Sequence, residues 1–229
     1  MNIRQISFLN MLVSHSGEFL PIDRFAEDLQ VSQKTLRRDL DLIETYLKDF
    51  GAATASNGAV GLYHVENITP EAVKYGKDLI AEDAKVYVVD DAELQRVYES
   101  YPVIWKKKDA KPKLCFMGCP HMSLQQLIDW TEKVSRSLKE AGRTRVCIPT
   151  VFTAAPAVLK KFQETPYAET LKATGVITSY ICPLMYMNNP LSEKMPVITS
   201  SNKLRTYTSA RYYTDAEILE QITKGGTDR

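Results

Sequence analysis

The sequence predicts an α/β fold, a mostly parallel sheet with helices on both faces, preceded by a small all-α helix-turn-helix domain. Three observations lead there. From Tyr63 onward, short β-branched or aromatic runs alternate with helical stretches, which is the pattern of strands joined by crossover helices. Unusual residues (Cys, His, Pro, clustered Ser and Thr) follow the ends of those runs, where ligands bind in such sheets. Before this alternation lie about 47 residues with apolar spacing of a purely helical kind.

In that first part, Ile3, Ile6, Phe8, Leu9 and Leu12 fall at helical spacing. Ser16-Gly17 breaks the pattern and Pro21-Ile22-Asp23 restarts it, with Phe25, Ala26 and Leu29 on one face. QVS at 30–32 is a tight turn, and Ser32 is the N-cap of a third helix with Leu36, Leu40, Ile43 and Leu47 inward. Lys34, Arg37 and Arg38 lie early on this last helix, where a recognition helix presents side chains to bases and phosphates. Its later part (Asp39, Asp41, Glu44) is acidic and unsuited to a phosphate backbone. Asn57-Gly58 favours a type I′ turn, but its segment runs on into the next domain and is assigned there.

The strand and helix pairs then run in order: GLYHV with TPEAVKYGKDLIA, KVYVV with DDAELQRVYESY, KLCFM with SLQQLIDWTEKVSRSLKEAG, and RVCIPTV with APAVLKKFQE. VITSYICP, PVITSS and a closing helix TDAEILEQITKG complete the chain. Thr69 with Pro70 makes a good helix start, as does Ser123. WKKKDAKPK at 105–113 is a charged, solvated loop.

Composition limits the function classes. The chain has 229 residues, 29 Lys and Arg against 28 Asp and Glu, and four cysteines. No whole-chain field draws it to nucleic acid, so any such partner meets a local patch. No apolar run approaches the roughly 20 residues of a membrane span, and the N-terminus lacks a signal-peptide core, so a cytoplasmic location without a membrane partner is expected. In that reducing compartment cysteines serve as core thiols, metal ligands or reactive groups. Cys115 and Cys147, inside strands, are expected in the core.

GCPH at 118–121, Cys182-Pro183 and Thr199-Ser200-Ser201 each follow a strand. Cys119 and Cys182 are therefore either buried residues at strand ends or ligands converging at one rim. His121 either orients a ligand by one ring nitrogen or caps the next helix. Thr199, Ser200, Ser201 and Lys203 offer hydroxyls and one ammonium to a carboxylate or phosphate, or are ordinary turn chemistry.

Four segments, FGAATASNGAVGLYHVENITPEA at 50–72, GCPHMSLQQL at 118–127, ICP at 181–183 and VITSSNKLRTY at 197–207, together resemble aconitase X, a family of iron-dependent hydro-lyases. The resemblance covers about residues 48–229. It implies dehydration of a small hydroxy acid such as a hydroxyproline or phosphomevalonate. It implies Cys119 and Cys182 as two of three ligands of an iron or iron–sulfur centre, with the third in an upstream half that this chain replaces by the helix-turn-helix. Ser201, Lys203 and His121 are expected as catalytic residues, with Thr199, Ser200 and Tyr207 around the substrate anion, joined by Arg205, which stands where the family has a small residue and adds positive charge. Ser201, Lys203 and Tyr207 match the family, whereas Thr206 stands where the family has histidine. Activity would then need a complementary subunit or homodimer. FAEDLQVSQKTLRRDLDLIE separately resembles the helix-turn-helix of DeoR and antiterminator-type sugar regulators. The expected organisation is 1–47 helix-turn-helix and 48–229 aconitase X-like domain. The competing reading is a DNA-binding transcriptional regulator whose inactive aconitase X-like half senses a small acidic metabolite.

Overall fold

The structure is a computed structural model that describes residues 3–14, 21–43, 63–66, 69–187, 189–190 and 192–226. The chain divides into two compact units, one running to Ser100 and the other from Tyr101. The expected boundary at 47/48 lies outside the described residues, as do Glu44, Leu47 and Asn57-Gly58.

In the first unit, α1 (Ile3–Ser14), α2 (Ile22–Asp28) and α3 (33–43) enclose a small core of Phe8, Leu9, Phe25, Ala26, Leu36 and Ile43. Phe8 and Phe25 meet at 5.7 Å between ring centroids in a tilted pair, a favourable aromatic geometry. The α2–α3 turn places Gln30 at φ 52°, and the Val31 amide donates to the Ala26 carbonyl at 3.0 Å, the closing bond of a Schellman motif. Ser32 caps α3 as expected, its Oγ accepting from the Thr35 amide at 3.1 Å. Two details differ from the periodicity. Leu40, expected inward, is 39% exposed, and its neighbour Asp39 is buried in its stead. Asp39 is tolerated there because Arg4 Nε (2.6 Å) and Gln5 Nε2 (3.1 Å) both donate to its carboxylate, which satisfies a buried charge. Arg4 holds that carboxyl below the usual carboxylate range.

Residues 63–100 follow in the same unit, with α4 (Pro70–Tyr75), a 3₁₀ turn (Gly76–Leu79) and α5 (Asp91–Ser100). Neither the described part of GLYHV nor KVYVV is a strand. Val86, Tyr87, Val88 and Val89 are all exposed. β-branched composition favours an extended backbone, but a strand also needs a neighbouring edge to pair with.

The second unit is a five-stranded, fully parallel sheet in the order β3-β2-β1-β4-β5. Its strands are β1 (Leu114–Met122), β2 (Thr150–Ala154), β3 (Ile177–Ser179), β4 (Val197–Thr199) and β5 (Arg211–Tyr212). Helices cover both faces, as expected from the alternation. On one face Cys115, Met117, Phe152 and Ile198 pack with Leu127, Trp130 and Val134 of α6 (Leu124–Glu140), Phe162 of α7 (Pro156–Gln163), Leu171 of α8 (Pro166–Ala173), and Ile218 and Ile222 of α11 (Asp215–Lys224). On the other, Phe116 and Val197 pack with Met187 of α9 (Pro183–Met187) and Leu204 of α10 (Asn202–Tyr207). The alternation of Cys115, Phe116 and Met117 between two cores is the period-2 rule. Strand β2 begins at Thr150, later than RVCIPTV implied, and α8, α9 and β5 were not anticipated. Cys115 is a core thiol with no exposure, which also excludes it as a rim ligand. Cys147, expected in the core, is half-buried and lines a cavity instead.

Candidate functional site

GCPH does not follow β1; it lies inside it. Pairing with β2 is regular up to Met117↔Phe152 and resumes at Met122↔Ala154, so the intervening residues bulge out of the ladder. Bulges re-aim side chains at sheet ends. The bulge opens at Gly118, φ 99°, where a Cβ would sit 2.3 Å from the Thr153 carbonyl oxygen. Only glycine accepts both that dihedral and that approach. Thr153 Oγ1 donates to the Gly118 carbonyl at 2.6 Å, and the Cys119–Pro120 peptide is cis.

The bulge is held from β4 as well. The Ser201 hydroxyl donates to the Cys119 carbonyl, and the Leu204 amide donates to Ser201 Oγ at 3.0 Å, making Ser201 the N-cap of α10. The Ser201 amide donates to Thr199 Oγ1 at 3.1 Å, and the Ser200 hydroxyl contacts Met117 Sδ at 3.5 Å. The three hydroxyls thus brace the rim itself. β1 and β4 are adjacent and parallel, so their C-terminal ends share an edge.

Cys119 is buried, and burial pushes its thiol up; the Ser201 hydroxyl and the Lys203 ammonium act against that, and Cys182 acts with it. The Ser201–Cys119 hydrogen bond joins residues 82 positions apart in sequence at this rim. Cys182 is half-buried at the entry to α9, its carbonyl accepting from the Met185 amide at 2.9 Å. His121 is half-buried in β1 with a buried Nε2. The cap of α6 is made by Ser123 and Gln126, each accepting from the other's backbone amide at 3.1 and 2.8 Å, so His121 is not needed for that task.

Of two further candidates, Arg205 is turned to other contacts. The Arg205 guanidinium lies 3.9 Å from the Tyr101 ring centroid and donates from Nε and Nη2 to Asn202 Oδ1 at 3.0 and 2.7 Å. Tyr207 is mostly exposed. Lys34, Arg37 and Arg38 belong to the other unit and are exposed on α3. Lys34 and Arg38 border a cavity of about 370 Å³ with Arg4 and Asp39. Thr153 and Tyr101 gave no signal in the sequence: a strand threonine and a loop tyrosine carry no motif, and only folding sets them against Gly118 and Arg205.

As a metal centre the rim is incomplete. Cys119 and Cys182 are two soft donors, but among the described residues no group of three or more His, Cys, Asp or Glu side chains could hold a metal ion. No helix among them is long and apolar enough to cross a membrane.

Comparison with known proteins gives a consistent picture. Residues 29–99 match the family model described as the aconitase X second domain. The chain is 29% identical over 189 residues to the phosphomevalonate dehydratase large subunit of Methanosarcina mazei, covering 80% of this chain and 42% of that protein. It is 31% identical over 127 residues to the protein of the same name from Thermococcus kodakarensis, covering 56% and 30%. The crystal structure of Thermococcus kodakaraensis aconitase X in its holo-form superposes with a TM-score of 0.59 at 24% identity, over 78% of this chain and 44% of that one. That superposition supports the α/β fold. A 68-residue stretch is 37% identical to the transcriptional regulator ManR of Bacillus subtilis, covering 29% of this chain and 10% of that one. The chain thus carries aconitase X-like sequence and spans less than half the length of the dehydratase subunits it matches.

Proposed function

We propose that residues 48–229 are the C-terminal portion of an aconitase X-type hydro-lyase, working in the cytoplasm, and that they act only with a complementary polypeptide. The observation that carries this reading is the hydrogen bond from the Ser201 hydroxyl to the Cys119 carbonyl, which ties the turn after β4 to the bulge of β1, with the charge of Lys203 and the thiol of Cys182 both acting on Cys119. In this reading Cys119 and Cys182 are two thiolate ligands of an iron or iron–sulfur centre, whose remaining protein ligand comes from the partner. Such a centre supplies a Lewis acid that grips a substrate hydroxyl and carboxylate. The chain's own residues bind and orient: Lys203 offers its ammonium to the anion of a small hydroxy acid such as phosphomevalonate or a hydroxyproline, and His121 positions a ligand by one ring nitrogen. Ser201 keeps the Cys119 loop in register through its hydrogen bond to the Cys119 carbonyl, so its role is positioning. Thr199 and Ser200 support that same turn, and Arg205 and Tyr207 form the outer margin of the anion site. The relatives' name, large subunit, supports the need for a second chain.

The test is iron and sulfide content after anaerobic reconstitution, alone and with a candidate complementary subunit. Metal bound by the wild type and lost in Cys119→Ser and Cys182→Ser supports the reading. Equal metal content in all three, or a colourless complex that dehydrates neither substrate class, overturns it.

A second reading, a transcriptional regulator whose α/β unit senses an acidic metabolite, is favoured by the ManR match and by the capped α3 with Lys34, Arg37 and Arg38 exposed on it. Residues 1–47 would then form the DNA-binding domain. A gel shift on DNA upstream of the gene decides it: changing the three cations to alanine must weaken binding and flatten its salt dependence. Unchanged affinity and slope remove this reading.

A further inference from the structure

The parallel sheet has a second end, and it is not featureless. Opposite the Cys119 rim, before the first residues of β1 and β2, lies a cavity of about 730 Å³. That size suits a small-molecule ligand. Among the described residues its charged lining is Lys108, Lys111 and Arg211 against a single carboxylate, Asp109. The segment 105–113, read from sequence as a solvated loop, thus supplies two cations to one wall.

The cavity is built from several elements. Arg211, at the start of β5, is fixed between two rings, its guanidinium carbon 5.7 Å from the Trp105 centroid and 5.3 Å from that of Tyr213, and Nη1 donates to the Lys108 carbonyl at 3.3 Å. A guanidinium within reach of two aromatic rings and bonded to a backbone carbonyl presents its remaining N–H groups as a fork for an oxyanion, and lysines add mobile point charges. On the far wall α11 ends at Gly225 and Gly226, both with positive φ. A Cβ on Gly226 would collide with the Gln221 side chain, and one on Gly225 would lie 3.9 Å from Cys147 Sγ, so the bare backbone keeps this wall open beside the thiol. The carbonyl end of α11 opposes an anion, but the Cys147 amide already occupies the Ile222 carbonyl at 2.7 Å. Three cations outnumber the single carboxylate, and a concave low-dielectric wall concentrates that field.

We propose that this cavity binds a phosphate dianion, free or as the terminal group of a small phosphorylated metabolite, at a site separate from the Cys119 rim. Arg211 takes two oxygens through its fork, Lys108 and Lys111 close over the third, and Cys147 lies beside the bound group.

Cys147 makes the test direct. The full chain is alkylated with iodoacetamide, and modification of Cys147 is followed by peptide mass spectrometry with inorganic phosphate, a phosphomonoester such as glycerol phosphate, or sodium chloride at equal ionic strength. At phosphate about four times its dissociation constant, the Cys147 rate falls about fivefold and saturably. The K108Q/K111Q double variant, altered only at exposed side chains and checked by an unchanged melting temperature, loses that protection. Cys119→Ser keeps it, which separates this site from the proposed dehydratase rim. Tighter protection by the monoester identifies a metabolite as the ligand, and equal protection identifies free phosphate. Protection no greater than that of chloride, or protection retained in K108Q/K111Q, overturns the proposal.

Discussion

KVYVV at 85–89 and KLCFM at 113–117 begin alike, a lysine followed by four apolar residues, and they end differently. Val86 is 90% exposed in a segment that forms no strand, whereas Cys115 is fully buried between β2 and β4. Local preference is similar in both, so it does not decide the outcome. KLCFM has parallel neighbours on either side and a helix layer on each face. KVYVV has neither among the described residues. Strand formation is thus a property of the sheet as much as of the segment.

Four measurements would break or sharpen that contrast. The largest effect is expected inside the paired strand: Gly118→Ala drives a Cβ into Thr153 at a positive φ, and should cost about 4 kcal/mol of unfolding free energy by denaturant titration. A loss below about 1 kcal/mol would mean the bulge rearranges freely. Next is acid unfolding of the α1–α3 helices, which share a unit with KVYVV yet do have a core. The Asp39 carboxyl is depressed by Arg4, so its contribution is complete above the unfolded value near about 4 and is lost as pH falls through the folded value. Helical circular dichroism should therefore decline below about pH 4, with a shallower acid slope in Asp39→Asn. Third, Ser123→Ala removes the reciprocal cap of α6 and should cost about 1 kcal/mol. The smallest effect falls on the unpaired run: Val86→Ser should change stability by less than about 0.5 kcal/mol in the isolated chain. A larger loss would show that 85–89 is covered in solution.

The candidate site was legible in its residue types and only partly in its architecture. Cys119, Cys182, Ser201 and Lys203 stood out because sulfur, hydroxyl and ammonium groups cluster at the ends of apolar runs. That Ser201 reaches Cys119 follows from a parallel sheet, in which all strand C-termini share one edge. The bulge was not legible, because GCPH contains nothing that separates a loop after a strand from an interruption within one. Arg205 looked like a free cation beside an anion site, yet Tyr101 and Asn202 hold it. Tyr101 lies outside the motif, and Asn202, although inside it, carried no functional reading.

By itself the sequence determined the alternation of elements, the caps at Ser32 and Ser123, the helical spacing that buries Leu36 and Ile43, and the candidate thiols. Each depends on interactions within a few residues, or on a periodicity that one helix or strand imposes. Tertiary structure decided which runs became strands, that Asp39 is buried while Leu40 is exposed, that Thr153 closes over Gly118, and that two lysines of a charged loop line a cavity with Arg211. Those outcomes depend on groups distant in the chain satisfying one another's hydrogen bonds, charge or surface, and no local pattern encodes which distant group arrives.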